Sequence, residues 1–458
     1  VIVLAAAVLV YTMLETMLTP ALPLIQEGLG TTTAAVAWVL TGVLLSGTVC
    51  TPLVGRLADL HDKRPILLVV MLVVCAGTLL SAVSGTIFWL AVGQILQGAG
   101  LALVPLALGI LRDTQSARVV TKASGLLVGA SALSVTLGLI LTGIIVSTLR
   151  YNWLFWIPFA LLVAVTVVAW FVVPSCPPDK DKKGTVDWLG AGVLAAALLA
   201  LLLGVSFVPS WGWASPAFAA LEVVAVILLV AFVIIERRSS QPLVDLRLGG
   251  RPVVAACVMT FVVGFVTTAS FVVIPTIVSA PAVVGYGLGA AASVTGIILI
   301  PGGLVGAIAA TLVSRLERLV GARAVMVAAG LVLVVSAALL LFASSNFVIL
   351  LISSTLLGVG IGLGMTQSMN LVVASVPPER IASVSGLTYV LRSVGGTIGG
   401  QIAGSILTLD LVVGTHFSTW SAISATFWIG LGVALVVTVL SLALPARVAV
   451  SAEAPTAY

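Results

Sequence analysis

Apolar residues dominate this chain in long blocks, separated by short breaks where charged residues, proline and glycine collect. A block of about 20 apolar residues, wound as an α-helix at about 1.5 Å per residue, crosses about 30 Å of hydrocarbon. Fourteen blocks meet that measure. Six come first: Val1–Leu24, Ala34–Val54, Pro65–Val83, Ile87–Leu111, Ala123–Leu149 and Trp153–Val173. Two more, Trp188–Val208 and Ala217–Ile235, follow a polar stretch. The last six run Val253–Val278, Ala290–Leu312, Ala324–Phe342, Phe347–Val373, Ala382–Leu411 and Ser421–Leu444. A backbone in lipid must satisfy its own hydrogen bonds, so the pattern predicts an all-α polytopic membrane protein of 14 transmembrane helices.

The basic residues test that count, because loops on the cytoplasmic side carry the excess of lysine and arginine. Arg56, Lys63 and Arg64 follow span 2; Arg112, Arg118 and Lys122 follow span 4; Lys180, Lys182 and Lys183 follow span 6. Arg237, Arg238, Arg247 and Arg251 follow span 8, Arg315, Arg318 and Arg323 span 10, Arg380 span 12 and Arg447 span 14. The breaks after odd-numbered spans hold Arg150 alone, so both termini are expected on the cytoplasmic side. Tyr151, Trp153, Trp156, Trp211 and Trp213 sit where interfacial anchors belong. The opening run from Val1 has neither a basic leader nor a small-residue cleavage site and reads as a retained span rather than a signal peptide.

Composition narrows the class further. Of 458 residues, 61% are hydrophobic and 8% charged, which no water-soluble fold could accommodate. The net charge of +5 is spread over short loops rather than gathered on one face, so no nucleic-acid partner is expected. Cys50, Cys75, Cys176 and Cys257 stand singly, without metal-ligand spacing, and no metal site is expected. Neither an HExxH sequence nor a Walker sequence occurs, which argues against an intramembrane hydrolase and an ATP-driven pump. No cofactor is expected.

An internal repeat organises the spans. Gly55-Arg-Leu-Ala-Asp-Leu-His-Asp-Lys-Arg64 after span 2 matches Ser314-Arg-Leu-Glu-Arg-Leu-Val-Gly-Ala-Arg323 after span 10. Gly125, Gly138 and Gly143 of span 5 fall in register with Gly386, Gly399 and Gly404 of span 13. The expected division is a six-helix bundle over 1–173, an inserted two-helix hairpin with flanking loops over 174–251, a second six-helix bundle over 252–445 and a tail over 446–458. The repeated glycines are read as close-packing positions where the two halves move.

Few titratable groups fall inside the spans. Glu15 lies mid-span in span 1, where a charge costs about 2.5–3.5 kcal/mol on insertion scales, so a carboxyl there is suited to taking up and releasing a proton. The structural alternative is a neutral Glu bonded to a neighbouring helix. Arg392 is the basic residue inside span 13 and needs a polar cavity or an acidic partner, for which Glu15 is one candidate; the alternatives are an anionic substrate or lipid headgroup, or carbonyls opened by Gly395 and Gly396. Asp410 near the end of span 13 and Glu222 in span 8 read as interfacial. His61 and His416 fall in loops and offer no intramembrane relay. Pro20, Pro23, Pro275, Pro281 and Pro301 interrupt helical hydrogen bonding where bending is useful.

With these residues in view, the chain resembles the major facilitator superfamily, and within it the fourteen-helix drug:proton antiporter branch. Gly55, Leu57, Ala58, Asp59, Lys63 and Arg64 are similar to the family's loop signature, with Asp62 where glycine is usual. Glu15-Thr16 followed by Ala21-Leu22-Pro23, and Gln97-Gly98-Ala99-Gly100, are also family-like. Asp187-Trp188-Leu189-Gly190 and Pro242-Leu243-Val244-Asp245-Leu246-Arg247 look like the branch's markers around its extra hairpin. Gln94 stands where the family usually has arginine, and Gly138-Leu139 and Thr142-Gly143 replace Gly-Pro and Gly-Gly.

The resemblance implies a secondary exporter of the bacterial cytoplasmic membrane, exchanging small hydrophobic or cationic substrates for protons across a lipid bilayer, with the proton gradient as its energy source. It also implies that spans 1, 4, 9 and 12 line the cavity. Glu15 couples protons, Gln94, Arg392 and Asp410 offer cavity polarity or counter-charge, and Gly55, Asp59, Arg64 and Arg112 form a conformational latch. A monomer is expected. Export of lipids or a lipid-like natural product is the alternative on the same scaffold, and a passive channel fits the repeat less well.

Overall fold

The computed structural model describes residues 1–31, 33–177, 187–238, 250–290, 292–377, 381–412, 415 and 417–443. The first helices are α1 (Ile2–Leu29), α2 (Thr33–Leu60), α3 (Lys63–Val83), α4 (Ile87–Gln97), α5 (Leu103–Thr114), α6 (Ala117–Thr148) and α7 (Trp153–Val172). A pair follows, α8 (Trp188–Trp211) and α9 (Pro216–Arg238). The rest are α10 (Arg251–Ser279), α11 (Ala292–Val320), α12 (Ala322–Leu340), α13 (Phe347–Ser375), α14 (Ile381–Leu409) and α15 (Trp420–Leu442). No strand occurs among the described residues beyond one isolated bridge between Leu411 and Ser418.

Ten helical stretches of the described residues are long and apolar enough to cross a membrane, so the protein is multi-pass. Helices α1, α2, α6 and α14, with 28, 28, 32 and 29 residues, are also long but include positions whose side chains are outside the described set. The linkers expected on either side of α8 and α9 lie largely outside the described residues, as does the tail.

The fourth predicted span departs from a plain helix. A 3-10 turn at Gly98–Ala102 divides it into α4 and α5. Packing supplies the reason. A Cβ on Gly98 would sit 2.6 Å from the Val43 carbonyl of α2, and one on Gly100 would sit 2.1 Å from the Tyr11 ring of α1. Two helices thus press on a segment whose glycines present bare backbone, and the tighter winding accommodates them.

Helix partnerships recur between the first and last thirds of the chain. α1 packs on α6 and α7, and α10 packs on α14 and α15. Likewise α3 packs on α4 and α7, while α12 packs on α13 and α15. The crossings use the same device: a Cβ on Gly138 of α6 would lie 3.1 Å from the Met13 carbonyl, and one on Gly399 of α14 would lie 2.4 Å from the Phe265 carbonyl. Small residues let the backbones approach to a distance that side chains would forbid.

The ends that bear Arg56, Lys63, Arg64 and Arg112 define a basic end. There the two sets of helices meet. Gly125 and Gly129, early in α6, face Ala310 and Ala307 of α11, and Gly386, early in α14, faces Thr51 of α2. α5, the basic-end part of the divided span, also reaches α14.

α8 and α9 pack on each other, and α8 further touches both α2 and α14. Leu194, Leu198, Leu202 and Phe232 form a buried apolar cluster with Val390 and Val394 of α14. Asp187 explains its place in the marker sequence, because its side chain caps α8 by accepting from the Gly190 amide at 2.7 Å.

Candidate functional site

Two helices from opposite parts of the chain carry the interior charges. On α1, Tyr11 and Glu15 are one turn apart and share a face. On α14, Tyr389 and Arg392 do the same. Glu15 lies within electrostatic reach of Arg392, and both act on the Tyr389 hydroxyl; Glu15 and Cys50 of α2 act on the Tyr11 hydroxyl. Glu15 and Arg392 are each half-buried, and both sit well inside their helices. They do not form a direct ion pair. The Tyr11 hydroxyl is buried without a hydrogen-bond partner. The sequence named Glu15 as one candidate partner of Arg392 and missed both tyrosines, whose one-turn spacing from the charges was the available signal.

This arrangement suits charge-linked movement. A carboxylate attracts the guanidinium across the interior, and a protonated carboxyl does not. At an effective dielectric of about 20, such an attraction is still several times what the same pair would have in bulk water.

Other expected site residues lie elsewhere. Gln94 is 1% exposed and turned away from that interior: its Nε2 donates to Ser81 Oγ of α3 at 3.2 Å, and Gln97 Nε2 donates to the same oxygen at 3.0 Å. Its amide nitrogen thus serves the packing of α4 on α3. Asp410 is exposed beyond α14, where it accepts from Thr419 Oγ1 at 2.5 Å and closes the loop to α15. Gly138 and Gly399 occupy close crossings, whereas among the described residues nothing lies within 4 Å of a Cβ placed on Gly143 or Gly404. Glu222 lies against Gly204 of α8, with one carboxyl oxygen buried and unpartnered. A small void between α10, α12 and α15, lined by Val266, Ser270, Ser336 and Phe427, holds no titratable group and is separate from Glu15.

At the basic end, Gly55 is buried and Arg112 half-buried in the last turn of α5, while the Asp59 side chain and Arg380 lie outside the described residues. The described contacts there form a different set. Lys63 Nζ lies 2.6 Å from Asp113 Oδ2, joining α3 to α5, and Arg64 Nη2 donates to the Trp170 carbonyl of α7 at 2.6 Å. Asp62, the departure from the loop signature, caps α3 by accepting from the Arg64 amide at 2.9 Å. It also accepts from the Cys176 amide at 2.9 Å and from the Ser175 hydroxyl, pinning the exit of α7. Burial alone would push the Asp62 carboxyl up; the hydrogen bonds from Ser175, Cys176 and Arg64, with the Arg64 charge, outweigh it and hold the carboxyl below its ordinary value. Asp113 was missed in the sequence because its partner lies 50 residues away.

Comparison with known proteins places this geometry. The family model of the Major Facilitator Superfamily matches residues 4–187, 176–400 and 256–457. An uncharacterized MFS-type transporter of Mycobacterium tuberculosis H37Rv is 31% identical over 415 residues, covering 88% of this chain and 59% of that one. The chain thus spans about three-fifths of the length of that relative. The multidrug resistance protein Stp of the same organism is 26% identical, with 84% and 71% covered. The lincomycin resistance protein LmrB of Listeria monocytogenes is 25% identical, with 86% and 83% covered. Among solved structures, the human organic anion transporter MFSD10 (TETRAN) superposes with a TM-score of 0.69 at 17% identity, covering 96% of this chain and 98% of that one. The POT family transporter PepTSo follows at 0.65 and 14%, with 96% of each chain covered. From the recurring helix partnerships, the multi-pass architecture and these matches together, the chain belongs to the Major Facilitator Superfamily of transporters.

Proposed function

We propose that this transporter is a proton-coupled exporter of small hydrophobic or cationic molecules, working by alternating access with Glu15 as the coupling carboxyl. The observation that carries the reading is the Glu15 and Arg392 pair, set on helices from opposite parts of the chain and within electrostatic reach without contact. Protonation from one side neutralises Glu15, loosens its attraction to Arg392 and favours one arrangement of the halves. Deprotonation on the other side restores the attraction and favours the other arrangement. A cationic substrate competes with the proton for the same carboxylate.

In this reading the chain has 14 spans: a six-helix bundle over 1–173, the α8–α9 hairpin as an insert, and a second bundle over 252–445. Both termini are cytoplasmic and the membrane is the bacterial cytoplasmic membrane. Two relatives named for drug or lincomycin resistance support the substrate class. Contacts gathered at the basic end support a state closed toward the cytoplasm.

The test is ethidium transport in inverted vesicles under an imposed pH gradient. Wild type concentrates ethidium only while the gradient lasts. Glu15→Gln exchanges ethidium downhill but does not concentrate it. Gradient-independent accumulation by wild type, or normal coupling in Glu15→Gln, overturns the reading.

A further inference from the structure

The basic-end half of α13 carries a polar run that neither the charge pair nor the helix packing explains. Thr366, Gln367, Ser368 and Asn370 are all buried, Gln367 with 0% of its surface exposed. Ser368 is satisfied within the helix by the Gly364 carbonyl at 2.7 Å. Asn370 Nδ2 donates to Glu317 Oε2 of α11 at 3.2 Å. Gln367 is different: both its amide nitrogen and its amide oxygen are buried without a partner, and so is the Thr366 hydroxyl. Each unmet group forfeits about 1–3 kcal/mol of hydration, so folding alone does not account for an amide here.

The repeat strengthens the point. Gly98 and Gly358 occupy equivalent crossings, the first against α2 at Val43 and Gly47, the second against α11 at Gly302. Beyond Gly98 the first half continues as Leu103–Leu111, in which every side chain is apolar. Beyond Gly358 the second half continues into Thr366–Asn370. One fold thus tolerates an apolar version of this segment, and the polar version belongs to one half only.

The segment also sits where the two sets of helices close, since α13 packs on α6 as well as on α11. Opening the basic end separates those helices and uncovers the run. We propose that Gln367, with Thr366 and the Asn370–Glu317 pair, is a binding station for an organic cation that also carries a hydrogen-bond donor. Glu317 faces the cation and Gln367 accepts from and donates to the polar group. The station rests on the alternating-access reading above, because only an opening of the basic end admits a ligand. Its unmet amide in the closed state favours the open state once a ligand supplies the missing bonds.

Equilibrium binding to purified protein tests the station without reference to proton coupling. The probes are ethidium, a cation with aromatic amines, and tetraphenylphosphonium, a cation without a hydrogen-bonding group. Gln367→Met keeps the side-chain shape, weakens ethidium binding about tenfold and leaves tetraphenylphosphonium binding unchanged. The same variant melts at a higher temperature than wild type, because it removes an unsatisfied buried amide. A purely structural Gln367 would instead melt lower when replaced. Equal ethidium binding by wild type and variant, equal weakening of both probes, or no ethidium binding by wild type overturns the proposal. Failure of gradient-driven transport alongside normal ethidium selectivity would instead count against the coupling reading.

Discussion

Lys63 in the first turn of α3 and Asp113 in the last turn of α5 form an ion pair 2.6 Å long that ties two helices of one half together at the basic end. Lys63 is 7% exposed at its side chain and Asp113 27%, so the pair lies between the surface case and the buried one. Asp113→Leu strands a buried ammonium and is expected to destabilise by about 1–3 kcal/mol, while adding Lys63→Met recovers most of that loss. Thermal unfolding of the two singles and the double gives the coupling; a single variant that melts with wild type shows the pair holds nothing.

Arg392 is expected to need its charge but not its fork. Arg392→Lys keeps gradient-driven ethidium uptake within about threefold, and Arg392→Leu lowers it tenfold or more, equivalent to about 1.4 kcal/mol. Both variants should reach the membrane in wild-type amounts. Full coupling in the leucine variant would remove Arg392 from the site.

Asp62 makes acid sensitivity local. Its carboxyl is held below its ordinary value of 3.8, so its contribution is complete above that pH and fades as the pH falls through the lower folded value. Asp62→Ala should cost about 1 kcal/mol near neutral pH, the usual worth of a helix cap. The gap between wild type and Asp62→Ala in melting temperature should narrow below pH 4; a gap that is constant from pH 7 to pH 3 contradicts the assignment.

The glycine crossings separate by position. Gly399→Ala places a methyl 2.4 Å from the Phe265 carbonyl and forces α10 and α14 apart, with an expected loss of about 1–3 kcal/mol. Gly404→Ala meets nothing and should stay within about 0.5 kcal/mol of wild type. Melting temperatures of the two proteins check the contrast, and equal effects would refute it.

Much of the architecture was legible because lipid forces the backbone into helices and the apolar runs then mark where they lie. The turn at Gly98–Ala102 was not legible as a break, since Gly98 and Gly100 yield to Val43 and Tyr11, which are distant in sequence. The same limit governs the site. Glu15 announced itself by the energy of a charge in an apolar run, but the direction of Gln94 depends on Ser81 of another helix. Asp62 read as a departure from a motif, and its reason lies with Ser175 and Cys176, more than 100 residues on.

The placement of α8 makes the two flanks of the molecule mechanically unequal. On the flank where α6 meets α11 and α13, separation parts α6 from those two helices. On the flank where α2 meets α14, α8 bears on both at once, so parting them also strips Leu194, Leu198 and Leu202 from Val390 and Val394. Each such side chain returned to lipid loses close contacts rather than gaining water, and the resistance is therefore one of packing. A molecule doubled in its halves is in this way given a stiff side and a compliant side, as a book has a spine and a fore-edge.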